Sequence, residues 1–273
     1  MIRQVVFALA LLITLGVFAF TIHRIVRFFR FTRPGFPVKQ IGKRFGVMFS
    51  VAFGQTKIFR RPVIGLAHAL VFWGFCIILF GSIEMVIDGL AGTDKALSSL
   101  GGFYRFIMGA GDIFAYIVAV AIVIFLFRRI FLHIRRFEGI EMKKISHVDA
   151  IVALSLILLL MLSLAGMNFG YFEFKTLSGE PLRGVYPVSA FLAGLYGGKS
   201  ISSMHTLYEV SWWIHILTIF VFANVLPYSK HFHVFMSVPN VFLSRLESPG
   251  KLMNMDNVTR EVKLMLDPET AFA

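Results

Sequence analysis

The stretch His215-Ile-Leu-Thr-Ile-Phe-Val-Phe-Ala-Asn-Val-Leu-Pro227-Tyr-Ser-Lys-His-Phe-His233 sets an apolar run, Ile216 to Val225, between two histidines eighteen residues apart. At 100° per residue, eighteen residues complete whole helical turns, so a continuous helix projects both imidazoles from one face. Their axial separation is then about 27 Å, close to the hydrocarbon thickness of a bilayer, about 30 Å. One rod would present a metal ligand near each membrane surface. Two haems held in series that way would pass electrons across the slab.

Composition places the chain in a membrane. Hydrophobic residues make up 57% and charged residues 15%, with 31 Phe and a mean hydropathy of +0.77. Soluble domains carry roughly 45 to 50% apolar and about 25% charged residues. Cys76, the single thiol, falls inside an apolar run. Disulfides, a cysteine zinc site, an iron–sulfur cluster and covalent haem attachment are therefore excluded within the chain, and any cluster belongs to a partner. There is no phosphate loop, nucleotide-binding glycine pattern, Ser/His/Asp arrangement or internal repeat.

Five stretches are apolar enough to span: Val5 to Ile22, Val63 to Ile87, Ile113 to Phe127, Val148 to Met167 and Val210 to Leu226. The third is the shortest. The first lacks a small-residue cleavage site and runs into an Arg-rich segment, so it reads as a retained span. Lys and Arg concentrate in alternate connections: ten between His23 and Pro62, six between Arg128 and Lys144, and five from Lys230 onward, against two and three in the others. By the positive-inside rule the N-terminus is outside and the C-terminus cytoplasmic. The expected fold is all-α, a polytopic bundle of five transmembrane helices. The net charge of +12 is then a topology signal and an attraction for anionic headgroups. It does not point to nucleic acid, because the basic residues sit against spans.

Residues 1–239 form the expected membrane domain, including a cytoplasmic amphipathic connection over 23–62. Arg24, Arg27 and Arg30 among Phe28, Phe29 and Phe31 predict an interfacial helix, ended by Pro34, Gly35 and Pro37. Ile41 to Phe59 predicts a second surface helix. Residues 240–273, with Pro249-Gly250 and Pro268, read as a cytoplasmic tail for partner docking or linkage. Turns account for Gly101-Gly102 and Gly197-Gly198.

Ionisable groups at membrane depth are functional candidates. His68 follows Pro62 by six residues, just inside the second span on the cytoplasmic side, the depth expected of His233. The two could supply the neutral imidazoles of a bis-histidine haem. His231 is a rival, but sixteen residues from His215 on a continuous helix turn it about 160° away. A lone intramembrane histidine usually bonds a neighbouring helix carbonyl; three at matching depth and facing favour ligation. His23, His133 and His147 lie among basic residues at the cytoplasmic surface and are assigned no chemistry.

The fifth-span stretch quoted above, followed by Val-Phe-Met-Ser-Val-Pro239, resembles the last span of the gamma subunit of respiratory nitrate reductase, and Asp149 in Ser146-His-Val-Asp-Ala-Ile resembles the start of that family's fourth span. Arg60-Arg-Pro-Val-Ile-Gly-Leu-Ala-His68-Ala-Leu-Val-Phe-Trp-Gly-Phe and Trp212-Trp213-Ile-His215 resemble one branch more closely. This is the cytochrome b domain associated with heterodisulfide-reductase-like iron–sulfur proteins, including electron-transfer-flavoprotein:menaquinone oxidoreductases. The resemblance covers nearly the whole chain, with strong motifs in the second and fifth spans. It implies one or two haem b groups and menaquinone or another quinone as substrate. It also implies a cytoplasmic iron–sulfur partner with electron-transfer flavoprotein upstream, and a bacterial inner membrane location. Members of the branch often continue into a ferredoxin domain, so this chain is expected to be a separate subunit or a piece of a longer protein.

The nitrate reductase family carries a second histidine ten residues after the first in its second span; here that position is Ile78. The inner haem pair, His68 and His233, is unaffected. His215 loses its implied partner, for which His205, folded back with the fourth connection, and Met85, seventeen residues from His68, are candidates. A quinone pocket or a vacant position is the other reading. Glu84, Asp88 and Asp112 lie near the outer ends of spans, where a carboxylate could exchange quinol protons; Glu84 is the best placed, against an exposed interfacial role. Trp73, Trp212 and Trp213 fit an aromatic belt or haem packing. The function expected is electron transfer between a cytoplasmic iron–sulfur partner and the quinone pool, as a subunit of a quinone-linked oxidoreductase complex. The competing classes are a non-redox membrane anchor, an assembly partner and a proton-relaying transport protein.

Overall fold

In hydrocarbon every backbone N–H and C=O must find its partner inside the protein, which restricts spanning segments of this kind to helices. The computed structural model describes residues 1–32, 38–132, 144–196, 199–247, 250 and 255–267. The described residues contain no strand. Five helices are long and apolar enough to cross a membrane: α1 (Ile2–Phe29), α3 (Pro62–Ala91), α4 (Gly102–Ile130), α5 (Lys144–Ser178) and α7 (Ile201–Val225). Shorter helices connect and follow them: α2 (Ile41–Met48), α6 (Pro187–Leu195), α8 (His233–Phe242) and α9 (Asp256–Leu266).

Each spanning helix outruns the apolar stretch that marks it. The Arg-rich segment after Ile22 is the last turns of α1, with Arg30 as its C-cap, and is not a separate interfacial helix. The third span is 29 residues long and exceeds the 25 of α7. The helix begins eleven residues before Ile113 and takes in Gly109, Gly111 and Asp112, whose carboxylate is satisfied by donors from α6. The expected surface helix over Ile41 to Phe59 is divided into α2, a π-helical turn over Phe49–Phe53 and a 3-10 turn over Ile58–Arg60. Pro62 then occupies the first position of α3, where its missing N–H costs nothing. Pro34, Gly35, Pro37, His133, Gly197-Gly198, Pro249 and Pro268 lie outside the described residues.

The fifth span does not continue as one rod to His233. Beyond Val225 the chain forms a 3-10 turn over Leu226–Tyr228, passes through an extended Ser229 (φ −98°, ψ 156°) and makes a second 3-10 turn over Lys230–Phe232 before α8 begins. Pro227 cannot donate to the α ladder, and the Ser229 hydroxyl caps the new turn by accepting from the His231 amide at 3.0 Å. The continuous-helix arithmetic is thereby overturned. His231 is not turned away; its ring centroid lies 5.8 Å from that of His233.

The most extensive contact is between α5 and α7, followed by α3 with α4 and α4 with α5. Small residues permit it, as membrane helices require. A Cβ at Gly170 would stand 2.7 Å from the Tyr208 backbone nitrogen, and one at Gly166 would stand 2.7 Å from Ser211 Oγ. Phe7, Met85, Ala115, Leu164, Met167, Trp212, Ile216 and Phe220 form the larger core. On the side of α8, buried Arg44 of α2 donates to the carbonyls of Lys39, Phe242 and Ser244 at 2.8 to 2.9 Å. It thereby satisfies oxygens that the end of α8 leaves unpaired.

Gly170→Ala is expected to destabilise the bundle by about 1–3 kcal/mol through overpacking against Tyr208. Gly16→Ala, whose added carbon meets nothing within 4 Å, should stay within about 0.5 kcal/mol of the parent. Denaturation in mixed detergent micelles, followed by circular dichroism, compares the two.

Candidate functional site

α3 starts at Pro62 and carries His68 in its second turn, while the 3-10 turn after Ser229 delivers His233 as the first residue of α8. Their ring centroids lie 6.5 Å apart with planes inclined at 29°. Two imidazoles on opposite sides of one metal, each nitrogen about 2 Å away and each ring centre about 1 Å further, have centroids about 6 Å apart. His233 Nδ1–H donates to the Lys230 carbonyl at 3.1 Å, which leaves Nε2 unprotonated in the neutral ring and free to bind. His68 Nδ1 is buried with no hydrogen-bond partner among the described residues. A buried orphan nitrogen costs about 1–3 kcal/mol unless something occupies the position in front of it. The residues present fit a haem group, which His68 and His233 would hold.

The turn that places His233 is pinned from α5, where Asp149 Oδ2 accepts from the Lys230 amide at 3.0 Å. His231 sits on the same turn with its Nδ1 3.1 Å from Ser229 Oγ. Burial holds His231 below the usual imidazole range, and the neighbouring His233 acts in the same direction. His23 lies in α1 and His147 in α5, outside this cluster. Among the described residues no three His, Cys, Asp or Glu side chains gather to hold a metal.

His215 lies in the interior of α7 at 1% exposure. Its Nδ1–H donates to the Leu160 carbonyl at 3.0 Å, and Ser163 Oγ lies 3.0 Å from the same nitrogen. The ring borders a narrow cleft of about 30 Å³, which it shares with Ile78, Ser82, Met85 and Asn168. His205 does not reach it. The fourth connection folds back as α6, whereas His205 stands in the second turn of α7, ten residues and so about 15 Å from His215. There it packs on Phe174 at 4.8 Å and lines a separate cleft of about 240 Å³ with Arg3, Lys175, Tyr208 and Trp212. Met85 faces the same cleft as His215.

Glu84, Asp88 and Asp112 are buried or half-buried and held by donors, which differs from the interfacial exposure expected of them. Glu84, 1% exposed, accepts from the Leu97 amide and the Tyr104 hydroxyl at 3.0 Å each, with Lys95 Nζ at 3.8 Å. Burial works against the Lys95 ammonium, but Tyr208, Glu84 and Tyr171 outweigh it and hold the group above the ordinary lysine range. Asp88 accepts from the Lys95 and Ala96 amides and the Thr93 hydroxyl. Asp112, fully buried, takes the Val188 and Ser189 amides at the start of α6, the Ser189 hydroxyl and the Asn168 amide. A carboxylate at a helix N-terminus is also favoured by the helix dipole. Trp73 donates to the Phe53 carbonyl at 2.9 Å, while Trp212 is buried beneath Arg3 at 4.5 Å. Sequence reasoning missed Ser163, Lys95, Ser189 and α6. Ser163 within the fourth span and Asn168 just beyond it were visible as polar residues, but their partners were not.

No family model matches the chain, and no solved structure matches it. It is 28% identical over 204 residues to the probable iron-sulfur-binding oxidoreductase FadF of Bacillus subtilis, an alignment covering 75% of this chain and 27% of that protein. It is 24% identical over 217 residues to the EtfAB:quinone oxidoreductase of Syntrophomonas wolfei, covering 78% of this chain and 30% of that protein. The chain thus spans less than a third of the length of these curated relatives. These similarities associate it with that group of oxidoreductases.

Asp112→Ala should cost about 3 kcal/mol, because it leaves buried α6 amides without acceptors. Hydrogen exchange should show α6 opening while the exchange of α3 is unchanged.

Proposed function

We propose that the chain is the cytochrome b unit of a quinone-linked oxidoreductase, akin to the nitrate reductase gamma subunit. It would exchange electrons between a cytoplasmic iron–sulfur unit and the membrane quinone pool. The observation that carries this reading is the approach of His68 and His233, 6.5 Å between ring centres, on two different helices. The names of the relatives, one iron-sulfur-binding and one using EtfAB and quinone, support the partner and the substrate. By that analogy the electron source is an electron-transfer flavoprotein feeding the iron–sulfur unit, and the quinone is menaquinone. The Lys and Arg distribution supports an N-terminus outside the bacterial inner membrane, which sets the His68 and His233 pair at the cytoplasmic side.

A haem held here supplies one-electron exchange at a potential tuned by its axial ligands and their hydrogen bonds. The chain's own groups do the placing. The Lys230 carbonyl fixes the tautomer of His233, and Asp149 fixes the turn that carries it.

The purified protein should show a b-type alpha band in its reduced-minus-oxidised spectrum. His68→Ala and His233→Ala should each abolish the band of this site, and His231→Ala should retain it. A folded, colourless parent protein would refute the reading.

A further inference from the structure

We propose that the segment from α2 to Arg60 is a re-entrant wedge whose phenylalanine stripe is seated in the acyl chains of one leaflet, where it braces α8. The inference goes beyond the cytochrome b reading and does not depend on it. Depth is set by what the tip of the segment touches. The Phe53 carbonyl accepts from Trp73 Nε1–H at 2.9 Å, and the Phe53 and Phe72 rings pack edge to face with centroids 5.9 Å apart. Phe72 and Trp73 follow Pro62, the first residue of α3, by about 15 Å along the helix axis. A helix of 30 residues is about 45 Å long and overhangs a hydrocarbon slab of about 30 Å by about 8 Å at each end. Arg60 and Arg61 just before α3, with the apolar run from Val63, hold that end at the surface. The tip therefore lies about 8 Å inside the hydrocarbon.

The backbone of the tip suits that depth. Irregular chain is tolerated in hydrocarbon only where its polar groups are satisfied within the protein. The Phe49 carbonyl accepts from the Gly54 amide at 2.8 Å, that of Ser50 from the Thr56 hydroxyl at 3.1 Å, that of Ala52 from the Gln55 side-chain amide, and that of Gln55 from the Ile58 amide at 2.9 Å. Each of these oxygens is served without water. One side of the segment turns Arg44, Met48 and Ala52 into the protein. On the neighbouring side Phe45, Phe49 and Phe53 pack in series, with centroids 6.5 and 5.5 Å apart, and stay 38 to 58% exposed. Exposed rings in register, running back from the tip toward the surface, fit acyl chains as the apolar face of an interfacial helix does. Lys43 and Lys57 are exposed, and their long stems carry the ammonium groups to the headgroups.

The wedge is tied to α8 at its other end. Buried Arg44 donates to the Phe242 and Ser244 carbonyls at 2.9 Å, and Phe45 packs edge-on against Phe242 at 5.0 Å. Lipid contact along the stripe thereby holds the far end of the helix that begins at His233.

The test is spin-label accessibility with the full chain in lipid nanodiscs, in a Cys76→Ser background because that thiol is exposed. A nitroxide at Phe49→Cys should collide with oxygen severalfold more often, relative to a water-soluble nickel chelate, than one at Lys263→Cys on the exposed α9. Replacing the stripe with serine (Phe45→Ser, Phe49→Ser and Phe53→Ser together) should speed amide exchange in α8 about tenfold while α4 is unchanged. Should that variant not assemble, Phe49→Ser alone, where the ring is 58% exposed, repeats the comparison with a rise of about threefold expected. A label at residue 49 as open to nickel as the one at residue 263 would overturn the insertion and mark the stripe as a surface for a protein partner. Parent-like exchange in α8 of the serine variants would overturn the brace.

Discussion

Polar groups inside an apolar slab have no water to turn to, and nearly every informative feature of this protein is a solution to that constraint. The Asp112 carboxylate, buried in the bundle, is the clearest case. It is tolerable only because it collects two backbone amides, a hydroxyl and a side-chain amide, and in doing so it seats α6 on the end of the bundle. Glu84 does the same for the connection between α3 and α4, and Arg44 does it for the end of α8. These charges stabilise the connections as well as surviving burial, so the loops that flank the candidate sites are held by the bundle itself.

The same constraint separates the histidines by role. His215 has its Nδ1 committed to a neighbouring helix carbonyl, which fixes its tautomer and leaves Nε2 an acceptor. His233 is fixed similarly by Lys230, yet it stands at the surface end of the bundle, where α8 meets the second turn of α3. His68 is the exception, with a buried nitrogen that finds no partner among the described residues. It shares that state with four other buried side-chain atoms among the described residues, and what distinguishes it is the second imidazole 6.5 Å away.

The small residues of α5 and α7 connect packing to site geometry. Gly170 lets the two helices approach until backbone meets backbone, Gly166 makes room for the Ser211 side chain, and that closeness brings Leu160 and Ser163 of α5 within hydrogen-bonding distance of His215 of α7. A looser crossing would leave the imidazole free to rotate and its tautomer undefined.

The sequence by itself determined the number of spanning helices, the membrane setting and the two histidines that meet at one end, because apolar run length and residue identity are local properties. It also marked Ile78 as a departure from the pattern it resembles. Tertiary structure alone decided the rest. The turn at Pro227 and Ser229 interrupts the rod that uniform helical arithmetic assumes, so the pairing of His68 with His233 arises from a bend and not from helical phase. Glu84 and Asp112, which hydropathy places at an exposed interface, are buried, because their donors come from segments 13 to 77 residues away in sequence. Whether a polar group is free to act or committed to structure depends on partners brought together by folding, and no periodicity along the chain encodes that.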